Sequence, residues 1–500
     1  MSIYKALEEA KNGTLIPVFQ SGKTMESRYN PERDAENLLN SIEPQNNFFL
    51  VLGIGSGLFI ELLSKKFPSS TILAFELSKE DLDFLSQLET VRKLKTNSRI
   101  VFTSLEDIEH KLLQNYLPAR DGNLKVIEQR AWVNENSEKI PEINEVLQKT
   151  LGIISADYSV QSHFGKIWNS NILNNTKLAE RLEPHFHFSP EILNKTAVVV
   201  AAGPSLDKTI NSLVTKENRS DFFIISTDTA APALIKKNII PEFIVSLDGQ
   251  AVSYNHFMNC KKTEGKSIYA FDLCANFSAV KYLLENNNQI FFFCSGHPLS
   301  SAINAANGYA LPQLFSGAGT VTISALDLAV QSGFKDILIL GADFSYQNGK
   351  AYTSGTYLDT LYNKESFKLS ETEKTFSKLM FRTELKSISK EIKTTQILEA
   401  YRYSLENYLA SKNISFTKKY DIYYLKNLST SKISDTGIFK KSKKLSLSAF
   451  MKKLEKCSPE ESEILLLPYV AWLRNNQNYS NYSYKELLKL ALDSIVSYNI

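Results

Sequence analysis

Short apolar runs recur through the first 360 residues, each is followed by a glycine or a polar residue, and stretches with helical spacing lie between several of them. These runs are Phe48–Leu52, Thr71–Phe75, Ala197–Ala202, Phe222–Ser226, Phe243–Leu247, Ser267–Phe271, Ile290–Cys294 and Asp336–Leu340. Continuous apolar runs of this length are typical of strands buried on both faces of a parallel sheet. Because helices are predicted between them, for example at Leu58–Lys66 and Val321–Ser332, the pattern predicts an α/β protein with a doubly wound parallel sheet at its centre.

The chain is too long for a single ordinary core, so it is expected to contain more than one domain. We predict an N-terminal Rossmann-like domain over 1–150 and a helical linker over 151–189. A central nucleotide-sugar-binding domain is predicted over 190–360. Beyond it glycine becomes scarce, lysine and tyrosine become frequent, and the spacing is helical, which predicts an α-helical C-terminal domain over 361–500.

The N-terminal domain contains one strand-turn-helix signal. The turn Gly53-Ile54-Gly55-Ser56-Gly57 follows the first strand, and Glu76 ends the second. This spacing suits a ribose hydroxyl held by Glu76 beside a backbone turn that approaches a ligand. Glycines that only allow close packing of strand and helix would give the same pattern, so whether the turn binds a ligand stays open.

Composition and charge exclude several classes of function. The chain is 43% hydrophobic and 22% charged with a net charge of +3, which gives no global field for nucleic acid. The four cysteines lack C-x-x-C spacing, so a zinc site or disulfide framework is not expected and a reducing cytoplasm is. No secretory signal is recognised at the N-terminus, and the apolar stretch Phe48–Leu63 is too short and too rich in glycine to span a membrane.

Two further features carry little weight in the sequence alone. His185 and His187 are two residues apart, but without other ligands nearby in sequence no metal site is expected. The lysine-rich run over 440–456 is interpreted as a solvated surface, with attraction of an acidic partner as the alternative.

The chemistry is expected at the carboxyl ends of the central strands, where ligands bind in open parallel sheets. The residues at these positions are small or polar: Gly203, Pro204, Ser205, Asp228, Asp248, Ser316, Gly317, Gly319, Thr320 and Asp343. Gly203 would permit close backbone approach, Ser205 and the amides of a helix start would bind an anion, and the turn before Val321 would form a second cradle. Asp228 and Asp248 would accept hydrogen bonds from a ribose or a base. Each residue alone also has a structural explanation as a turn glycine or a helix cap, but together they favour a nucleotide site. No G-x-x-x-x-G-K-[ST] motif is present, so a P-loop kinase is excluded.

At these residues the sequence resembles the motility-associated factor (Maf) glycosyltransferases, whose central region is also called the domain of unknown function 115 or the MptE-like domain. The segments that carry the resemblance are Ala201–Asp207, Ser226–Asp228, Ile240–Asp248, Ser316–Val321 and Gly341–Tyr346. The resemblance implies a sialyltransferase-like fold and transfer of a nonulosonic acid, such as pseudaminic or legionaminic acid, from its CMP-activated form. The implied acceptor is Ser or Thr of flagellin, in the cytoplasm before export.

A second similarity, to small bacterial CMP-sialic acid transferases, lies in the Gly-Pro-Ser-Leu turn and in Asp343–Tyr352. It implies that Tyr346 and Tyr352 hydrogen-bond the departing CMP phosphate, with no metal or other cofactor required. Those transferases use a histidine base after the second tyrosine, and no histidine follows Tyr352 in this chain. The base is therefore expected to be Asp343, Asp359 or a more distant histidine such as His256 or His297.

Two other functions stay open. One is a pterin pyrophosphokinase, which belongs to the same domain superfamily and would use ATP and Mg²⁺ with Asp228 and Asp248 as metal ligands. The other is a non-catalytic flagellin-binding or assembly factor with a nucleotide-sensing core, for which the basic tail and the missing histidine leave room.

Overall fold

The structure is a computed structural model, and it describes residues 2–43, 47–182, 188–258, 260–317, 319–365, 384–426, 428, 444–456, 459–479 and 481–499. The chain divides into two compact units. Unit 1 comprises residues 1–165 and 467–492, and unit 2 comprises residues 166–466 and 493–500. His185, His187 and the lysines at 440, 441 and 443 lie outside the described residues.

Strands and helices alternate through most of the chain. The strands are β1 (Tyr4–Glu9), β2 (Leu15–Phe19), β3 (Phe48–Leu52), β4 (Thr71–Phe75), β5 (Ile100–Thr103), β6 (Leu124–Glu128), β7 (Thr196–Val200), β8 (Phe222–Thr227), β9 (Phe243–Ser246), β10 (Ile268–Asp272), β11 (Gln289–Phe293), β12 (Ile337–Leu340), β13 (Tyr346–Gln347), β14 (Lys386–Ser387), β15 (Ile392–Thr394), β16 (Phe416–Lys419) and β17 (Ile422–Leu425). The helices are α1 (Pro31–Asn40), α2 (Leu58–Lys66), α3 (Lys79–Leu85), α4 (Glu89–Lys95), α5 (Ile108–Asn115), α6 (Pro118–Asp121), α7 (Arg130–Glu135), α8 (Ile140–Ala179), α9 (Pro190–Leu193), α10 (Leu206–Leu213), α11 (Ala231–Lys236), α12 (Phe277–Glu285), α13 (Pro298–Ala306), α14 (Val321–Ser332), α15 (Tyr357–Glu365), α16 (Gln396–Ser411), α17 (Leu447–Leu454), α18 (Pro459–Asn475) and α19 (Tyr484–Val496).

Unit 1 is built on a four-stranded parallel sheet with the order β5-β4-β3-β6. Every residue of β3 is buried, because helices or loops cover both faces of the sheet. The predicted strand-turn-helix unit is present, with Gly53, Gly55 and Gly57 all at positive φ. These three glycines adopt backbone angles that other residues adopt only at a cost.

Unit 2 is built on an eight-stranded sheet with the order β11-β10-β9-β8-β7-β12-β17-β16. The six strands from β11 to β12 are parallel. Alternate residues of β7 enter different cores: Ala197 and Val199 pack in the same apolar cluster as α14, while Val198 and Val200 pack in that of α10. Helices therefore cover both faces, which confirms the predicted doubly wound parallel sheet.

The predicted α-helical domain over 361–500 does not describe this part of the chain correctly. Strands β16 and β17 extend the sheet of unit 2, and β17 pairs antiparallel with β12. Ile422, Tyr423 and Leu425 are buried there, whereas the side chains of β16 are exposed. These two four-residue strands are rich in lysine and tyrosine and lack the long apolar run that marks the other strands. The helical spacing on either side of them therefore led to a prediction of helix throughout this region.

The helical linker predicted over 151–189 differs from the observed helix in its bounds. Residues 140–179 form the continuous helix α8, which begins ten residues before the expected boundary at 150. No helix among the described residues combines the length and apolarity needed to cross a membrane.

Candidate functional site

A cavity of about 300 Å³ lies at the carboxyl ends of β7 and β12. The chain builds β8 to β11 on one side of β7 and then places β12 on the other, so the strand order reverses between these two strands. Loops that leave neighbouring strands in opposite directions open a crevice, and this is where open parallel sheets bind ligands. The volume is at the lower end of the usual range for small-molecule sites.

The floor of the cavity is a close contact between two turns. Gly203 N donates a hydrogen bond to Gly341 O over 2.8 Å. A Cβ on Gly341 would lie 2.2 Å from Ala201 O, and one on Gly203 would lie 2.4 Å from Gly341 O. Gly203 lines the cavity as expected, but the neighbouring backbone, rather than a ligand, is what excludes a side chain at this position.

Asp343 joins the two turns through Ser205. Its carboxylate accepts hydrogen bonds from Ser205 N, over 2.7 Å, and from Ser205 Oγ. Ser205 was expected to donate to a bound anion, but both of its donors are directed at Asp343 in this structure. Burial raises the pKa of Asp343, and the hydrogen bonds from Ser205 oppose that rise. Asp343 lines the cavity.

The start of α14 forms one side of the cavity. Gly319, Thr320, Val321 and Thr322 line the cavity, and the side chain of Thr320 makes no capping hydrogen bond. Gly319 has φ +86° and faces open space, with no atom within 4 Å of a Cβ built there. Amides at the start of a twelve-residue helix are a favourable site for phosphate.

The rest of this predicted cradle has structural roles. A Cβ on Gly317 would lie 2.4 Å from Ser404 Oγ, so close packing requires this glycine. Ser316 Oγ donates to Ser295 O over 3.4 Å. Neither residue lines the cavity, and Ala318 lies outside the described residues.

A buried carboxylate holds this turn in place. Asp327 of α14 accepts hydrogen bonds from Phe315 N and from Tyr408 Oη, each over 2.7 Å. Neither side chain was predicted from the sequence to support the site. An aspartate inside the buried run Ile323–Val330 was a usable signal, because a charge in such a run needs partners. Tyr408 belongs to α16, which also brings Leu398 and Tyr401 to the cavity from the region predicted to be a separate domain.

Tyr346 and Tyr352, for which the resemblance predicts contacts to the departing phosphate, both line the cavity. Burial raises the pKa of Tyr346, so its hydroxyl stays protonated and able to donate. Hydrogen bonds of Thr353 fix the loop that carries Tyr352. Thr353 N donates to Ala202 O over 2.8 Å, and Thr353 Oγ1 donates to Asp207 Oδ1 over 2.7 Å.

The two aspartates expected to bind ribose or base do not line the cavity. Asp228 is buried, and its carboxylate accepts hydrogen bonds from Ser246 Oγ and Thr229 N, each over 2.6 Å. Asp248 Oδ1 accepts one from Gln250 N over 2.8 Å. Thr227 and Thr229, which flank Asp228, line the cavity instead. The turns after β8 and β9 thus direct the carboxylates to neighbouring protein groups.

Of the four candidate bases, Asp343 lines the cavity and the other three do not. Asp359 accepts a hydrogen bond from Gly355 N over 2.7 Å at the start of α15, which is a capping role. The ring of His256 contacts Tyr357, and His297 Nδ1 accepts a hydrogen bond from Leu299 N. Within the described residues, no group of three or more His, Cys, Asp and Glu side chains is placed to hold a metal ion.

The glycine turn of unit 1 differs from the expectation for a ribose site. Glu76 is fully buried and accepts hydrogen bonds from Tyr4 Oη, Ile54 N and Trp132 Nε1. Its carboxylate is thus enclosed by protein donors. Burial raises the pKa of Glu76 to about 7, and the hydrogen bonds oppose the rise.

Comparison with known proteins identifies the central region. Residues 168–349 match the family model described as 6-hydroxymethylpterin diphosphokinase MptE-like. An uncharacterised protein of Treponema pallidum (strain Nichols) is 34% identical over 145 residues, which are 29% of this chain and 67% of that protein. A second from the same organism is 41% identical over 113 residues, which are 23% of this chain and 40% of that protein.

Among solved structures, a similar one is that of the MAf glycosyltransferase from Magnetospirillum magneticum AMB-1. The alignment covers 99% of this chain and 90% of that chain, with a TM-score of 0.45 and 14% identity.

Proposed function

We propose that this chain, which belongs to the MptE-like protein family, is a glycosyltransferase whose active site is the cavity between β7 and β12. It moves a nonulosonic sugar from a CMP-activated donor to Ser or Thr of a protein acceptor, which is flagellin, in the cytoplasm. The observation that carries the proposal is the convergence of a helix start, two tyrosines and a carboxylate on one cavity.

The donor phosphate is assigned to the side of the cavity formed by α14. Backbone amides at Thr320 to Thr322 attract a phosphate, and Gly319 leaves open space for it. Tyr346 and Tyr352 donate from their hydroxyls to the same group. Such donors stabilise negative charge that develops during a reaction.

The transfer balances as a single displacement. The acceptor hydroxyl oxygen forms a bond to the anomeric carbon from the face opposite CMP, and the anomeric carbon–oxygen bond to the phosphate breaks. The electron pair of that bond goes to the phosphate oxygen of CMP, where the tyrosine hydroxyls and the helix start stabilise it. The acceptor proton goes to the carboxylate of Asp343, whose burial favours the protonated form. The configuration inverts, and no divalent metal is needed because protein donors supply the charge stabilisation.

The test is transfer onto purified unmodified flagellin. The full chain is incubated with flagellin and CMP-activated pseudaminic or legionaminic acid in the presence of EDTA, and intact flagellin mass is recorded. We expect the mass to increase by whole sugar units, and flagellin from a strain that lacks this gene to lose the same mass. An unchanged flagellin mass in both experiments would rule out flagellin as the acceptor.

A pterin diphosphokinase is the second candidate, because the matching family model carries that description. This chemistry would use ATP with Mg²⁺, and Asp228 and Asp248 would be the metal ligands. The hydrogen bonds that Asp228 accepts from Ser246 and Thr229 disfavour that role. Formation of AMP from ATP in the presence of a hydroxymethylpterin would favour the kinase over the transferase.

A further inference from the structure

Unit 1 has its own cavity where its strand order reverses. In the order β5-β4-β3-β6, the chain adds β4 and β5 on one side of β3 and then β6 on the other. A cavity of about 380 Å³ is lined by residues from the ends of this pair, including Phe59 after β3 and Glu128 and Gln129 at the end of β6. Like the cavity of unit 2, it lies where the order of the parallel strands reverses.

The glycine turn beside this cavity is closed to phosphate. Ser56 N donates to Glu26 Oε1 over 2.5 Å, and Ile54 N donates to Glu76 Oε1 over 2.7 Å. A Cβ on Gly55 would lie 2.2 Å from Glu26 Oε1, so this carboxylate presses directly on the turn. The carboxylates of Glu26 and Glu76 therefore accept the backbone N–H hydrogen bonds that a nucleotide phosphate would need.

The other oxygen of Glu26 has no such partner. Glu26 Oε2 is buried, and it has no hydrogen-bond partner among the described residues. Glu26 lines the cavity. A buried carboxylate oxygen without a donor is costly, which points to a donor supplied from outside the protein.

The walls define the chemistry of that donor. Met25, Leu38 and Phe59 give the cavity an apolar side. Three exposed charged residues of the lining, Asp34, Glu128 and Arg130, carry a net negative charge in addition to Glu26. The environment suits a cation with an apolar body and disfavours an anion.

We propose that this cavity binds a small molecule that carries an ammonium group on an apolar body, with the ammonium donating to Glu26 Oε2. The apolar part lies against Met25, Leu38 and Phe59. This assignment is independent of the glycosyltransferase activity proposed for unit 2.

Proton release gives the site a measurable signature. Burial raises the pKa of Glu26 to about 7, and the nearby charge of Asp34 adds to the rise. The other charged groups that line the cavity are Glu128 and Arg130. An ammonium ion favours the carboxylate, so its binding below pH 7 must displace a proton. Affinity should then increase as pH rises from 6 to 8.

The test is calorimetry on the full chain with phenethylamine and with 2-phenylethanol, which has nearly the same shape but no charge. We expect phenethylamine to bind at least tenfold more tightly than the alcohol, with tighter binding at pH 8 than at pH 6. Glu26→Gln keeps the acceptor for Ser56 N and removes the charge, so it should weaken amine binding at least tenfold. Glu36→Gln, at an exposed position of α1 outside the cavity, should leave it unchanged.

Three results would overturn the assignment. The first is no measurable binding of phenethylamine by the wild-type chain. The second is equal affinity for the amine and the alcohol. The third is equal amine affinity in wild type and Glu26→Gln, with circular dichroism confirming that the variant is folded.

Discussion

Carboxylates at the strand ends of both units are held by donors from the protein itself. Ser205 donates to Asp343, Thr229 and Ser246 donate to Asp228, and Tyr4 and Trp132 donate to Glu76. A carboxylate at such a position is therefore not sufficient to indicate a ligand. What distinguishes Asp343 is that it also lines a cavity.

The two tyrosines of the cavity carry the clearest prediction at this scale. Tyr346→Phe and Tyr352→Phe each remove one hydroxyl donor from the developing charge on CMP. We expect each variant to lose about a hundredfold in kcat, the lower end of the range for loss of one such donor. Tyr309→Phe changes an exposed tyrosine that does not line the cavity, and it should leave kcat unchanged. Equal kcat in all four proteins would remove both tyrosines from the mechanism.

The raised pKa of Glu26 predicts how the stability of unit 1 depends on pH. Its pKa is about 7 in the folded chain, against 4.5 for an ordinary glutamate, because burial disfavours the charged form. The folded state therefore binds the proton more tightly, and the stabilisation is complete below pH 4.5 and lost as pH rises through 7. A tenfold difference in proton affinity between the folded and unfolded states corresponds to about 1.4 kcal/mol of stability.

Amide hydrogen exchange at Gly53–Gly57 measures this effect. Between pH 5 and pH 8 the opening free energy of the wild-type chain should fall by more than that of Glu26→Gln, because the variant has no titrating group at position 26 whereas Glu76 titrates in both proteins. A parallel change in the two proteins would show that Glu26 does not have the raised pKa.

At the scale of secondary structure, long apolar runs were sufficient to predict the strands that form the sheet cores. The strands β3, β7 and β12 coincide closely with Phe48–Leu52, Ala197–Ala202 and Asp336–Leu340. The strands β16 and β17 were missed because their own residues show no long apolar run. Pairing with β12 stabilises β17, and pairing with β17 stabilises β16.

The sequence also predicted part of the lining of the cavity in unit 2, but not all of it. Position at a strand end predicted which segments meet, but not which way each side chain points. Asp343, Gly319 and Thr320 line the cavity, whereas Asp248 and Ser316 hydrogen-bond elsewhere. The orientation depends on turn geometry after each strand, which residue type alone does not fix.

Turn geometry itself can be tested at Gly341. This glycine has φ +67° and its Cβ position is filled by Ala201 O, so Gly341→Ala adds a steric clash to the cost of a left-handed backbone. Gly349 has φ +74° with no atom near its Cβ position, so Gly349→Ala should cost only about 1–2 kcal/mol. Chemical denaturation should give a much larger loss of unfolding free energy for Gly341→Ala. Equal losses would mean that the turn at Gly341 is not in close contact with Ala201 O.

At the scale of the whole molecule, both units use the same architectural rule. Each has a set of parallel strands whose order reverses beside the first of them, β3 in unit 1 and β7 in unit 2, and each has a cavity at that reversal. The two cavities differ in charge: a helix start favours an anion in unit 2, whereas acidic residues favour a cation in unit 1. We expect the two sites to bind different ligands.

Binding of CMP to the full chain in the presence of EDTA is the most direct test of the function proposed for unit 2. Calorimetry should show that CMP and CTP bind the wild-type chain more tightly than ATP without any added metal. The double variant Tyr346→Phe/Tyr352→Phe should bind CMP at least tenfold more weakly, and Tyr309→Phe should bind it as the wild type does. Binding of ATP only in the presence of Mg²⁺, with no binding of CMP, would contradict the account.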